Sequence, residues 1–87
     1  MNFIKGKRLK RQPHRLKYGL SLDYFISDDK DKIRKRPDMD KWCSDNIETS
    51  TIHGYVQQNW FRGEGFQYCY YFFENEKTAT MFKLIWG

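Results

Sequence analysis

The eight residues Phe66-Gln67-Tyr68-Cys69-Tyr70-Tyr71-Phe72-Phe73 constrain this chain more than any other stretch. Their length and ring content read as a β-strand, in which successive side chains point to opposite faces. One face then carries Phe66, Tyr68, Tyr70 and Phe72, and the other Gln67, Cys69, Tyr71 and Phe73. A sheet covered by helices on one side needs apolar residues on that side only. The second aromatic row must therefore be exposed, paired with a partner, or covered by the chain itself. If exposed, a row of this kind marks a contact surface.

The flanking sequence supplies a sheet and two helices. Residues 15–26 alternate, with Leu16, Tyr18, Leu20, Leu22, Tyr24 and Ile26 on one face and Lys17, Gly19, Ser21, Asp23 and Phe25 on the other. That is the pattern of a half-buried strand. A polar turn over 27–32 and a basic loop, Ile33-Arg34-Lys35-Arg36, follow. Pro37-Asp38 opens a helix, with Asp38 as a candidate cap. Met39, Trp42, Cys43, Asn46 and Ile47 then recur at helical spacing. Residues 49–61 read as a second strand, Arg62-Gly63-Glu64-Gly65 as a hairpin turn, and 66–73 as the third strand. Asn75 suits the cap of a second helix, whose stripe is Ala79, Phe82, Lys83 and Trp86.

The order is arm, β, α, β, β, α. It predicts an α+β fold, a three-stranded antiparallel sheet with two helices on one face, which is a ferredoxin-like order lacking its last strand. At 87 residues the chain has room for one domain, here 15–87, behind a basic arm over 1–14 that is expected to be flexible. The charge is uneven. Residues 1–17 contain seven Lys and Arg and no acid, and the rest of the chain carries nine bases against eleven acids. The arm is thus +7 and the domain −2, an asymmetry that points to a polyanion. Lys5, Lys7, Arg8, Lys10, Arg11 and Arg15, with Arg34, Lys35 and Arg36, are the candidate polyanion contacts.

Catalytic chemistry finds little foothold. No Ser-His-Asp spacing is readable and no glycine-rich phosphate loop precedes a helix, so no catalytic residue is assigned. His53, on a strand beside Tyr55, reads as a surface residue. Cys43 and Cys69 are far apart in sequence and read as buried thiols, and only His14 and His53 could join them at a metal. No metal, cofactor or small-molecule substrate is expected. With neither a signal peptide nor an apolar run of membrane-spanning length, the expected location is a host cytoplasm, and no membrane partner is expected.

Two resemblances bear on function. Residues 66–73 resemble the third strand of RNA-recognition motifs, whose pattern is K/R-G-F/Y-G/A-F-V-x-F/Y. Tyr68 and Tyr70 fall on its two base-stacking positions, although Phe66 replaces the basic residue and Gln67 the glycine. The ending from Tyr71 to Gly87, an aromatic strand, a Phe-Glu-Asn-Glu turn and a Phe-Lys-Leu-Ile-Trp-Gly helix, resembles the C-terminus of small uncharacterised proteins of tailed bacteriophages. That likeness implies an origin and no activity.

The reading is a non-enzymatic, phage-encoded interaction module that binds a host or phage macromolecule. Its contact surface would be an aromatic sheet face of Phe25, Tyr55, Phe66, Tyr68, Tyr70 and Phe72, assisted by the basic arm. A protein partner or self-association leads. The alternative is single-stranded nucleic acid, RNA above all, stacked on the same rings with phosphates on the arm. In a third reading the arm folds across the sheet and closes a two-sided core.

Overall fold

A computed structural model describes residues 2–4, 11–23, 36–65 and 68–86 of the chain. Its elements are β1 (Asn2–Ile4), β2 (Tyr18–Asp23), α1 (Arg36–Asn46), β3 (Ser50–Ile52), β4 (Tyr55–Gln57), β5 (Trp60–Gly65), β6 (Tyr68–Phe73) and α2 (Glu76–Trp86). Four strands form an antiparallel sheet in the order β1-β2-β6-β5, and β3 and β4 form a separate two-stranded sheet. This corrects the expected three-stranded sheet. The position that a ferredoxin-like order leaves open beside the first long strand is filled from the N-terminal side, by Asn2–Ile4 paired against Gly19–Ser21. Part of the predicted arm is therefore an edge strand.

Two further corrections concern turns. The expected strand over 49–61 is broken at His53-Gly54, where both residues have positive φ (51° and 82°). Positive φ at both central positions is what a tight two-residue hairpin requires, so β3 folds back on β4 with Ile52 opposite Tyr55. Gly63 and Gly65, expected in a turn, lie inside β5 opposite Tyr70 and Tyr68.

The rows of β6 define two cores. On the helix side Cys69, Tyr71 and Phe73 pack with Leu20, with Met39 and Cys43 of α1, and with Ala79 and Phe82 of α2. Phe82 is the hub, its ring centroid 4.7 Å from Tyr71, 5.1 Å from Phe73 and 5.8 Å from Trp42. Both helices thus cover the same face. α2 starts where it does because Asn75 Oδ1 accepts a hydrogen bond from the Thr78 backbone N–H at 2.8 Å. On the opposite face Tyr70 and Phe72 are also buried, packed with Leu16 and flanked by Ile4 and Phe61. Gly19 is what lets Phe72 lie flat there, since a Cβ at that position would sit 2.5 Å from the ring.

Candidate functional site

The outer face of the sheet, where the sequence places the contact surface, is buried against Leu16, the last residue of the loop over 12–16. Leu16 is fully buried between Tyr70 and Phe72, which are themselves 7% and 1% exposed. The chain turns at Arg11 (φ 73°), and the loop that follows is pinned twice. The Leu16 N–H donates to the Pro13 carbonyl at 3.1 Å, and the Gln12 side-chain amide donates to the Leu16 carbonyl at 2.6 Å. Gln12 is itself buried. Two bonds that close so short a loop leave the backbone little freedom to lift away.

Arg15 fastens the same segment to the far edge of the sheet. Its guanidinium donates to Asn59 Oδ1 and, at 2.7 Å, to the Gln58 carbonyl, and lies 3.7 Å from the Glu74 carboxylate. Asn59 in turn joins the other segments at this end. Its side-chain amide donates to the Glu48 carbonyl at 2.6 Å and to Ser50 Oγ at 2.9 Å, and its own carbonyl accepts from the Glu74 N–H at 3.3 Å. One buried residue, through its side-chain amide and its backbone carbonyl, thus ties the basic segment, the small hairpin and the turn before α2 together. A polar residue in a strand-like run gives no sign of such a role, and neither Asn59 nor Gln12 stands out in the sequence.

The predicted site residues separate accordingly. Tyr70 and Phe72 are floor, not surface. Tyr55 is 72% exposed but belongs to the separate β3–β4 hairpin, so it does not join them. Tyr68 enters through its backbone as the first residue of β6, and Arg36 likewise as the first residue of α1. Phe25, Phe66, Lys5, Lys7, Arg8, Lys10, Arg34 and Lys35 lie outside the described residues. Arg15 is held by internal partners, whereas Arg11, His14 and Lys17 stand exposed on the segment that covers the sheet.

A second polar centre lies on the helix side. Asp40 of α1 accepts a hydrogen bond from the Tyr71 hydroxyl at 2.8 Å and one from Arg62 at 2.5 Å. It fastens the helix to β6 and β5 at once. Burial, and then this hydrogen bond, hold the Tyr71 hydroxyl well above the ordinary phenol range. Burial, with Asp40 adding to it, pushes the neighbouring Cys43 thiol up to about 12. A thiol so raised is a poor nucleophile, because the thiolate is the reactive form. Cys43 and Cys69 are both free and buried in the helix-side core.

An open cleft of about 410 Å³ lies where α1 ends and α2 begins, lined by Glu48, Ser50, Asn59, Glu74, Asn75 and Thr78 among others. Its lining contains no His, Cys or Lys. Asn59 and Asn75 already serve the fold through the bonds given above. Among the described residues no group of three or more His, Cys, Asp or Glu is placed to hold a metal ion, and no helix is long and apolar enough to cross a membrane. Compared with known proteins, the chain matches no protein-family model, no curated protein and no solved structure.

Proposed function

We propose that this protein is a non-enzymatic binding module that grips a polyanion through the basic segment mounted across its sheet, nucleic acid being the polyanion that best suits its charge. The observation that carries this reading is the anchoring of residues 12–16 by Leu16, Gln12 and Arg15. Residues 1–17 carry seven Lys and Arg and no acid, and of these Arg11 and Lys17 stand exposed on or beside the anchored segment. The rings beneath hold the segment in place, and the charges make the contact. Such binding is electrostatic and indifferent to sequence. The likeness of the C-terminus to small phage proteins supports host or phage nucleic acid in a bacterial cytoplasm as the setting.

The test is anisotropy of a labelled single-stranded oligonucleotide with the full chain at several salt concentrations. Log K should fall linearly with log salt, by roughly 0.7 for each phosphate neutralised. Arg11→Gln combined with Lys17→Gln should weaken binding alike for every oligonucleotide sequence and flatten the slope by roughly 1.4, two phosphate contacts' worth. No binding, or binding that ignores salt, overturns the reading.

A further inference from the structure

The four-stranded sheet ends on β1 at one edge and on β5 at the other. An edge exposes unpaired backbone N–H and C=O groups, and proteins guard it with a short strand, Lys, Pro or a bulge. β1 is guarded by its length of three residues. β5 has none of these guards. It runs six residues, Trp60-Phe61-Arg62-Gly63-Glu64-Gly65, without Lys or Pro and in unbroken register along β6. One contact fixes which of its backbone groups point outward. The Glu74 N–H donates to the Asn59 carbonyl at 3.3 Å, so positions 59 and 74 form a hydrogen-bonded pair. Such pairs alternate along an antiparallel ladder, so Phe61, Gly63 and Gly65 bond to β6 while the backbone groups of Trp60, Arg62 and Glu64 turn away from it. Gln58 is in the same phase, and its carbonyl is taken by Arg15 at 2.7 Å. Among the described residues no strand pairs with β5 on that outer side.

We propose that β5 pairs edge to edge with β5 of a second copy, antiparallel about a twofold axis through Gly63, joining two sheets into one. Two registers keep the outward groups in phase and overlap most of the strand: Arg62 opposite itself, or Arg62 opposite Glu64. Like charges directly opposite are destabilising and opposite charges favourable, so the charges choose the second. In it Arg62 stands opposite Glu64 of the second copy, and each such pair exchanges both of its backbone N–H···O bonds. Asp40 holds Arg62 by one terminal nitrogen, and a guanidinium carries five N–H donors. Gly63 meets Gly63 of the second copy on the axis, with no side chain to collide. Half-buried Phe61 comes opposite Gly65 of the second copy, an aromatic–glycine pairing that suits a sheet edge. At physiological salt, repulsion between two chains of net charge +5 is largely screened beyond about 8 Å. A contact this narrow buries less than a standard interface, so the dimer is a weak one. The pairing does not rest on polyanion binding.

Sedimentation equilibrium of the full chain without nucleic acid, from micromolar to millimolar concentration, tests the proposal. The wild type should pass from monomer to dimer over that range. Glu64→Arg turns both opposite-charge pairs into like-charge pairs and should raise the dissociation constant about tenfold. Glu64→Pro should abolish the dimer, because it removes an outward N–H and sets a ring on the edge. That N–H makes no bond to β6, so the variant should melt like the wild type at micromolar concentration. Amide exchange gives a readout that needs no variant. The N–H groups of Arg62 and Glu64 should exchange more slowly in concentrated than in dilute wild-type protein, while that of Gly63 is protected alike in both. A chain that stays monomeric up to millimolar concentration overturns the proposal. So does a dimer that survives Glu64→Pro, a dimer that Glu64→Arg leaves unchanged, or exchange at Arg62 and Glu64 that ignores concentration.

Discussion

Leu16→Ala should lower the stability of this protein by roughly 2–5 kcal/mol, the usual range for truncating a buried leucine to alanine. For a domain this small that is a large share of the total, on the order of 5–10 kcal/mol. The reason lies in how the outer core is built. Tyr70 and Phe72 lie on the side of the sheet away from α1 and α2, and fully buried Leu16, with Ile4 and Phe61 alongside, packs with them. Its loss opens a cavity that a loop pinned at both Gln12 and Arg15 cannot collapse to fill. Urea unfolding should show a lower midpoint with an unchanged slope. Leu84→Ala, at an exposed position, should stay within about 0.5 kcal/mol of the wild type. Equal behaviour of the two variants would mean that residues 12–16 only rest on the sheet.

Alkali should destabilise the fold well before general base denaturation. The Cys43 thiol is pushed from its ordinary 9.0 to about 12 by burial, and the Tyr71 hydroxyl is raised as well. Both groups are neutral when protonated. Above pH 9 the unfolded chain releases its thiol proton while the folded chain keeps it, so the unfolded state binds fewer protons and stability falls as pH rises. The stabilisation is complete below pH 9 and is lost from there toward about 12. The limiting slope for one such group is about 1.4 kcal/mol per pH unit. Tyr71 adds the same sign from its ordinary value of 10.0 upward. Urea midpoints at pH 8 and pH 10.5 measure the effect. Cys43→Ala should be less stable at pH 8 yet lose less on moving to pH 10.5, and equal losses in the two proteins would contradict the assignment to Cys43.

The sequence made the helix-side core readable because its elements are strongly periodic. Met39, Trp42 and Cys43 repeat at helical spacing, Ala79 and Phe82 do the same, and all of them meet the sheet as the pattern requires. The outer core was hidden by the same rule carried too far. Period two runs from Leu16 to Ile26 in the sequence, which puts Leu16 on the face of Leu20. The strand begins only at Tyr18, and Leu16 belongs to a turn that passes to the other side of the sheet. Alternation says which face a side chain takes only while the chain remains extended.

The turns failed for chemical reasons. Gly63 and Gly65 look like turn residues, yet they lie in β5, paired with positions 70 and 68 of β6. The real turn at His53-Gly54 places a histidine at positive φ, where asparagine or aspartate is the usual signal. The strand at Asn2–Ile4 is three residues long, too short to carry a period, and depends on a partner in β2 for its existence. Aromatic rows on both faces of β6 were legible, but what covers the second row is a long-range fact that no local pattern contains.

The central claim is that charges, not rings, make the contact. Its most direct measurement compares a single-stranded oligonucleotide with an abasic strand of the same length and charge, each titrated against the full-length protein at one moderate salt concentration. With Tyr70 and Phe72 closed beneath Leu16, the two strands should bind with equal affinity. Base stacking on exposed rings contributes roughly 1–3 kcal/mol per base, so an abasic strand that binds tenfold or more weakly would contradict the account.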